Sequence, residues 1–385
     1  MITARSKMLT RTAEKIVRTF LCLLLPAACA YAQKADEKAA APTPARINWT
    51  DSLKQKPEWY ASDEAVRIAD NLLLYQRDTG GWPKNLDMAA PLTEAQRAEL
   101  ARQKQETDSN IDNGATYTQL AYLARVYTAR KLEPHREAFL KGLDYLLRAQ
   151  YENGGWPQYY PRLTGYYKHI TFNDNAMINV MRLLRDVAQK KSNYLFVDEE
   201  RRARSEKAVE KGVGLILKTQ IIVNGKRTVW DAQYDEVTLK PAAARRFEPA
   251  ALVSRESASI VRFLMGIKRP SQQVIDAIEC AVGWFEKTKL TGIRWVEERD
   301  SSKPGGFERT VVKDASAGPI WARFYEIGTN RPIFVGRDAV IRYDVMEIDA
   351  ERRNGYGWYS DEPEELLNED YPEWKKKLSR QVTDG

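Results

Sequence analysis

The sequence predicts an all-α dominated fold, an (α/α)3 toroid of three helical hairpins with long loops and a few short strands. Trp82, Trp156 and Trp230 recur at spacings of 74 residues, in "TGGWPKN", "NGGWPQY" and "RTVWDAQYD". Each follows a stretch with apolar residues at helical spacing, "ADNLLLYQRDT", "LDYLLRAQYEN" and "VGLILKTQIIVN". Each is followed, after an insert of variable length, by a second such stretch, "DNGATYTQLAYLARVY", "DNAMINVMRLLRDVA" and "SRESASIVRFLMGI". A unit of that period is too long for a thin solenoid. It suits inner and outer helices whose long loops gather at one end.

In chain order, Arg5, Lys7, Arg11, Lys15 and Arg18 precede the apolar run "FLCLLLPAACA" and then "AYA", which together read as a secretion signal over residues 1–32. The run is too short to span a bilayer. Its removal takes five basic residues and Glu14, so the formal net charge falls from +7 to +3. A charge that small, behind a secretion signal, argues against nucleic acid as a partner. Cys22 and Cys29 leave as well, and Cys280 alone forms no internal disulfide. Residues 33–46, rich in Ala, Pro and charge, read as a flexible leader. Residues 47–385 form one domain, large enough to be held by its core. Beyond about Gly292 the helical spacing fades, and "IRWVEE", "FERTVV" and "PIFVGRDAVIRYDVMEI" look like short strands.

The second stretch of each unit opens on Asp or Ser, where a helix N-cap belongs. If the units are equivalent in space, Asp112, Asp174 and residues 254–256 surround one mouth. Helix N-termini there favour anions. The Trp loops would join them, although a Gly-Gly-Trp-Pro turn places its Trp in the core more often than on a sugar ring.

The ordered motifs "TGGWPKN", "DNGAT", "NGGWPQYYP", "ITFNDNAM", "WDAQYDEVTLKPAAARRFEPAALVSRES" and "EIGTNRPIFVGRD" closely resemble the family 10 pectate lyases. The resemblance runs from about residue 60 to the "NGYGWYSDEPEELLNEDYPEWKKK" tail and is weakest over residues 296–314. It implies the same toroid and a calcium-dependent β-elimination of polygalacturonate. That chemistry removes a proton α to a carboxylate, a poor acid until the carboxylate is neutralised. Ca2+ held by oxygen ligands does this as a Lewis acid, without a histidine. His135 and His169, the two histidines, stand in no triad-like setting.

The resemblance also implies the site. Asp112 and Asp174 match the family's active-site aspartates, which bind calcium with the substrate carboxylate, and Asn113 resembles a substrate contact. Helix capping is the plain alternative for either aspartate. Arg245 matches the arginine assigned as the Brønsted base. A guanidinium is effectively always protonated, so that role requires calcium and neighbouring cations such as Lys240 and Arg331 to lower its pKa. The alternative is a bidentate clamp on the substrate carboxylate. Lys84, Arg323, Arg331 and Arg337 resemble galacturonate-binding residues, with ordinary surface charge as their alternative. Tyr159 and Tyr160 are candidate sugar contacts.

Two further functions compete with a monomeric, secreted, periplasmic or extracellular pectate lyase. One is a lyase for another uronate polymer, since fold does not fix substrate. The other is a metal-independent glycoside hydrolase, which needs a carboxylic acid of raised pKa.

Overall fold

The computed structural model describes residues 47–383, so the expected signal and leader lie outside the described residues. Helices α1 (Asp63–Tyr75), α2 (Tyr117–Arg130), α3 (Glu133–Ala149), α4 (Ala176–Ala188), α5 (Glu199–Thr219), α6 (Ser254–Met265) and α7 (Gln272–Thr288) build the ring. Short connections join α2 to α3, α4 to α5 and α6 to α7, and each pair packs together. Helices α2, α4 and α6 touch in sequence as the inner ring, while α1, α3, α5 and α7 follow one another outside it. The fold is an (α/α)3 toroid. One feature of the expected repeat is out of phase: each Trp loop runs from an outer helix to the inner helix of the next hairpin. The tight turns therefore lie at the opposite end from the long loops.

The Trp loops recur because they solve the same problem at each outer helix. The last carbonyls of a helix have no partner within it. Trp82, Trp156 and Trp230, all fully buried, donate their indole N–H to the carbonyls of Leu72, Leu146 and Ile216 at 2.8, 2.8 and 2.7 Å. Each acceptor lies in the last turn of its helix. Core is thus the right reading for these tryptophans. Gly80 and Gly154 have φ of 103° and 99°, and a Cβ there would lie 2.5 and 2.3 Å from the carbonyl oxygens of Lys141 and Lys211. Only glycine lets the turn approach the next outer helix so closely.

A glutamine follows each of these helices and ties it to its neighbour. Gln76 donates to Gly80 O and Ala138 O, Gln150 to Gly154 O and Ala208 O, and Gln220 to Thr228 O and Ala277 O, all within 3.0 Å. The second acceptor lies each time in the next outer helix. A fourth tryptophan completes the series: Trp321 donates to Phe285 O, in the last turn of α7, at 2.9 Å. An inserted antiparallel hairpin, Ile293–Arg299 with Phe307–Lys313, separates it from α7 and hides it from the 74-residue spacing. Lys289 follows α7 where the other outer helices have glutamine.

The strands expected beyond residue 292 are present. Leu252–Val253, Phe324–Tyr325, Pro332–Val335 and Ile341–Arg342 form one antiparallel sheet. Its first strand runs directly into α6, and Ser254 donates its amide to Arg323 O at 3.1 Å. The sheet thereby sets Arg323 against the start of the last inner helix.

Candidate active site

The starts of the three inner helices meet, but not through capping. Asp112 lies in a 3-10 turn (Asp112–Gly114), and α2 begins behind Thr116 with no side-chain cap. Asp174 is left-handed (φ 50°, ψ 30°), and α4 begins behind Asn175, again without a side-chain cap. Val253 precedes α6, so Ser254 is no cap either. Asp and Asn tolerate the left-handed region better than most residues, which explains the Asp-Asn pairs. With capping gone, both carboxylates are available for a ligand.

A polar cleft of about 70 Å³ brings together Lys84, Asp112, Asn113, Asp174 and Arg245. It adds Gln158, Tyr166, Asn173, Gln233 and Glu248. Lys84 forms an ion pair with Asp112 Oδ2, whose side chain is 5% exposed. Burial depresses the Lys84 pKa, but the charge and hydrogen bond of Asp112 more than offset it and the pKa is raised. Asp112 Oδ1 is buried with no hydrogen-bond partner. Asp174 accepts from Asn173 Nδ2 at 2.8 Å and lies 3.4 Å from Arg323 Nη2. Arg323 is buried and also donates to Glu256 Oε1 at 2.6 Å and Asn173 Oδ1 at 3.0 Å. It reaches the cleft through Asp174. Glu256, 1% exposed, accepts the Asp174 amide at 3.3 Å and leaves Oε2 without a partner.

Arg245 sits opposite expectation in one respect. Its Nε donates to Glu248 Oε2 at 2.8 Å and its Nη2 pairs with Glu248 Oε1, while Tyr356 donates to the same Oε1 at 2.9 Å. The Glu248 contact raises the Arg245 pKa, with burial acting the other way. Neither Lys240 nor Arg331 lines the cleft, so they do not supply the expected depression. The cations grouped with Arg245 are Arg337 and Arg352, whose guanidiniums lie 5.7 and 4.4 Å from the Phe247 ring; that of Arg245 lies at 4.8 Å.

The other expected contacts are spread around the cleft. Arg337 pairs with Glu351 at 2.8 Å, Arg331 stacks 3.6 Å over Tyr343 in a neighbouring hairpin, and Lys240 is exposed on the loop before Arg245. Tyr159 is buried under the Lys84 ammonium, and Tyr160 packs on Tyr145. Tyr166 is the aromatic residue in the lining. Neither His135, which meets Asp70 at 2.8 Å, nor His169, beside Glu236 at 3.3 Å, lines it. Reading from sequence misses Gln158 and Gln233, 4% and 2% exposed, whose amides make no hydrogen bond among the described residues. Gln158 has a positional signal, since Lys84, Gln158 and Arg323 each stand two residues after a buried Trp, whereas Gln233, three residues after Trp230, does not share it.

Hard oxygen acceptors, among them the buried and unpartnered Asp112 Oδ1, thus stand beside fixed cations in a site suited to a carboxylate-bearing ligand and a cation. A family model described as pectic acid lyase matches residues 76–367. Among solved structures, a variant of the family 10 polysaccharide lyase from Cellvibrio cellulosa in complex with trigalacturonic acid is 33% identical, with a TM-score of 0.70. The alignment covers 81% of this chain and 94% of that one. Another structure of the family 10 polysaccharide lyase from Cellvibrio cellulosa is 32% identical, with a TM-score of 0.68, covering 81% and 93%. The search of curated proteins finds no match. Family and fold agree over most of the described residues, and the chain belongs to the pectic acid lyase family, as a lyase of the pectate type.

Proposed function

We propose that the protein cleaves de-esterified polygalacturonate by calcium-assisted β-elimination, as a secreted monomer freed of residues 1–32. The observation that carries this reading is the buried, unpartnered Oδ1 of Asp112 in one cleft with Asp174 and Arg245. Oxygen donors of this kind fit Ca2+. Asp112 and Asp174 would hold the ion, which would neutralise the uronate carboxylate and make the C5 proton acidic. Lys84 pairs with Asp112 and fixes it, and Arg323 with Asn173 orients Asp174. The complex of a relative with trigalacturonic acid supports an oligogalacturonate as the ligand.

In the reaction the C5–H bond breaks, its electron pair forms the C4–C5 double bond, and the C4–O4 bond breaks. The departing oxygen takes up a proton. Arg245 is the residue we assign to the C5 proton, and its bond to Glu248 sets a condition: the guanidinium becomes a base only once Glu248 no longer holds it. The same bond favours a second reading, in which Arg245 stays protonated and clamps the carboxylate while water takes the proton. A hydrolase is poorly supported. Burial raises the proton affinity of Asp231, but Asp231 lies outside the cleft, while the Glu248 pKa is lowered as Arg245 outweighs burial.

The test is ultraviolet absorbance of polygalacturonate with the purified protein. A calcium-dependent rise, lost with chelator and cut by about 10²–10⁴-fold in Arg245→Ala, is expected. New reducing ends without a rise would establish hydrolysis instead.

A further inference from the structure

Each charged side chain in the cleft already has a charged partner. Lys84 pairs with Asp112, Arg245 with Glu248, and Asp174 with Arg323. Of the four side-chain amides in the lining, two are engaged as well. Asn113 donates to Asn85 Oδ1 at 2.9 Å, and Asn173 donates to Asp174 and accepts from Arg323. Gln158 and Gln233 are the other two, and their side chains make no hydrogen bond among the described residues.

The backbone pins both glutamines while leaving their amides uncommitted. Ile170 pairs with Pro157 on one side and with Tyr234 on the other. Gln158 follows the first and Gln233 precedes the second, so one short sheet carries both. The carbonyl of Gln158 accepts the Ile111 amide at 3.1 Å, and that of Gln233 accepts the Ala242 amide at 3.0 Å. Thr171 stands directly opposite Gln233 in register, where their side chains share a face, yet its buried Oγ1 is also without a partner. Buried polar groups left unpaired are costly, so their presence at a cleft points to a ligand that completes them. A carboxylate only accepts hydrogen bonds, whereas an amide donates and accepts, as a hydroxyl does.

We propose that Gln158 and Gln233 bind the O2 and O3 hydroxyls of the galacturonosyl unit that loses its C5 proton, and that the enzyme therefore rejects a unit acetylated there. In a cleft of about 70 Å³, an acetyl group both removes the hydroxyl hydrogen and crowds the amide. A site built to pair with a hydroxyl discriminates strongly against a ligand that lacks it. The inference rests on the pectate lyase reading above and adds a rule about which units of a modified polymer are cleaved.

The experiment compares unmodified polygalacturonate with polygalacturonate partly acetylated at O2 and O3, and locates acetyl groups in the products by mass spectrometry. The unit that loses its C5 proton becomes the unsaturated end of a product, and no acetyl group is expected on it. Gln158→Ala and Gln233→Ala are each expected to lower kcat/KM on the unmodified polymer about tenfold and to leave it nearly unchanged on the acetylated one, so that the ratio closes. Gln233→Met, which keeps the side-chain volume, is expected to do the same and serves if an alanine variant fails to fold. Acetyl groups on the unsaturated unit made by the parent enzyme overturn the inference. So does a ratio between the polymers that is the same in every folded variant as in the parent. If the unmodified polymer gives no absorbance rise with the parent, the pectate lyase reading falls and the inference falls with it.

Discussion

Gln220 and Gln233 are buried to the same degree, 3% and 2% exposed, and use their amides in opposite ways. Gln220 donates twice at 2.9 Å and joins two outer helices, leaving only its Oε1 unpartnered, whereas the side-chain amide of Gln233 makes no hydrogen bond among the described residues and lines the cleft. An unpaired buried amide costs about 1–3 kcal/mol, so a fold tolerates it where a ligand completes it. The same contrast separates the ring from the cleft as a whole. Around the ring, indole and amide donors end on helix carbonyls. In and behind the cleft, Asp112 Oδ1, Gln158 Oε1, Gln233 Oε1 and Glu256 Oε2 are left without partners; Gln220 Oε1 in the ring is too, but there the Nε2 of the same amide is used twice. Ring polarity is spent on stability and cleft polarity on a ligand.

That division breaks if ring variants lose activity without losing stability, or if cleft variants do the reverse. The largest effect belongs to the ring. Trp156→Ala removes a fully buried indole and its bond to Leu146 O, and is expected to cost about 3–5 kcal/mol in urea or thermal unfolding. Gln220→Ala removes two buried hydrogen bonds and is expected to cost about 1–3 kcal/mol, with kcat/KM on polygalacturonate unchanged for the folded fraction. Gln233→Ala should do the opposite. Its kcat/KM should fall about tenfold while its Tm stays with that of the parent or rises. A fall in Tm as large as that of Gln220→Ala would show that Gln233 serves the scaffold.

The smallest effect sharpens the chemistry. Glu248 raises the Arg245 pKa, so Glu248→Gln lowers it. If Arg245 is the base, the rising limb of the pH–rate profile moves down, on the order of one pH unit. If Arg245 is a clamp, the rate changes and the limb stays. Stability gives a second readout with a fixed sign. The Glu248 pKa is lowered from 4.5, so its contribution is present above that value and is lost as pH falls through the folded one. The Tm values of parent and Glu248→Gln should therefore converge in acid and separate toward neutral pH.

Much of this was legible in the sequence because it is local. The apolar spacing that marks the helices acts within a few residues, and the Trp loops repeat because each outer helix offers a last-turn carbonyl to the same indole donor. Asp112, Asp174 and Arg245, which meet in one cleft, stood out because each is embedded in a short, ordered motif. The fourth tryptophan escaped because an inserted hairpin breaks the spacing, although the hydrogen bond it makes is the same one.

The tertiary structure decided the rest, and the reason is separation along the chain. Arg323 meets Glu256 across 67 positions and Asp174 across 149, so no spacing rule announces that a supposed substrate arginine is held behind the cleft by two carboxylates. Glu248 lies three residues from Arg245 and was visible beside it, yet only the folded loop turns that neighbour into a bidentate partner that raises the proton affinity of the guanidinium. Whether Asp112 and Asp174 cap helices or face a ligand was likewise set by backbone geometry, through the left-handed Asn113 and Asp174. The sequence by itself determined the helices, the repeat and which residue types the chemistry can use. The packing of distant loops determined which of those groups are already paired and which still lack a partner, because electrostatic and hydrogen-bond state depends on distance in space.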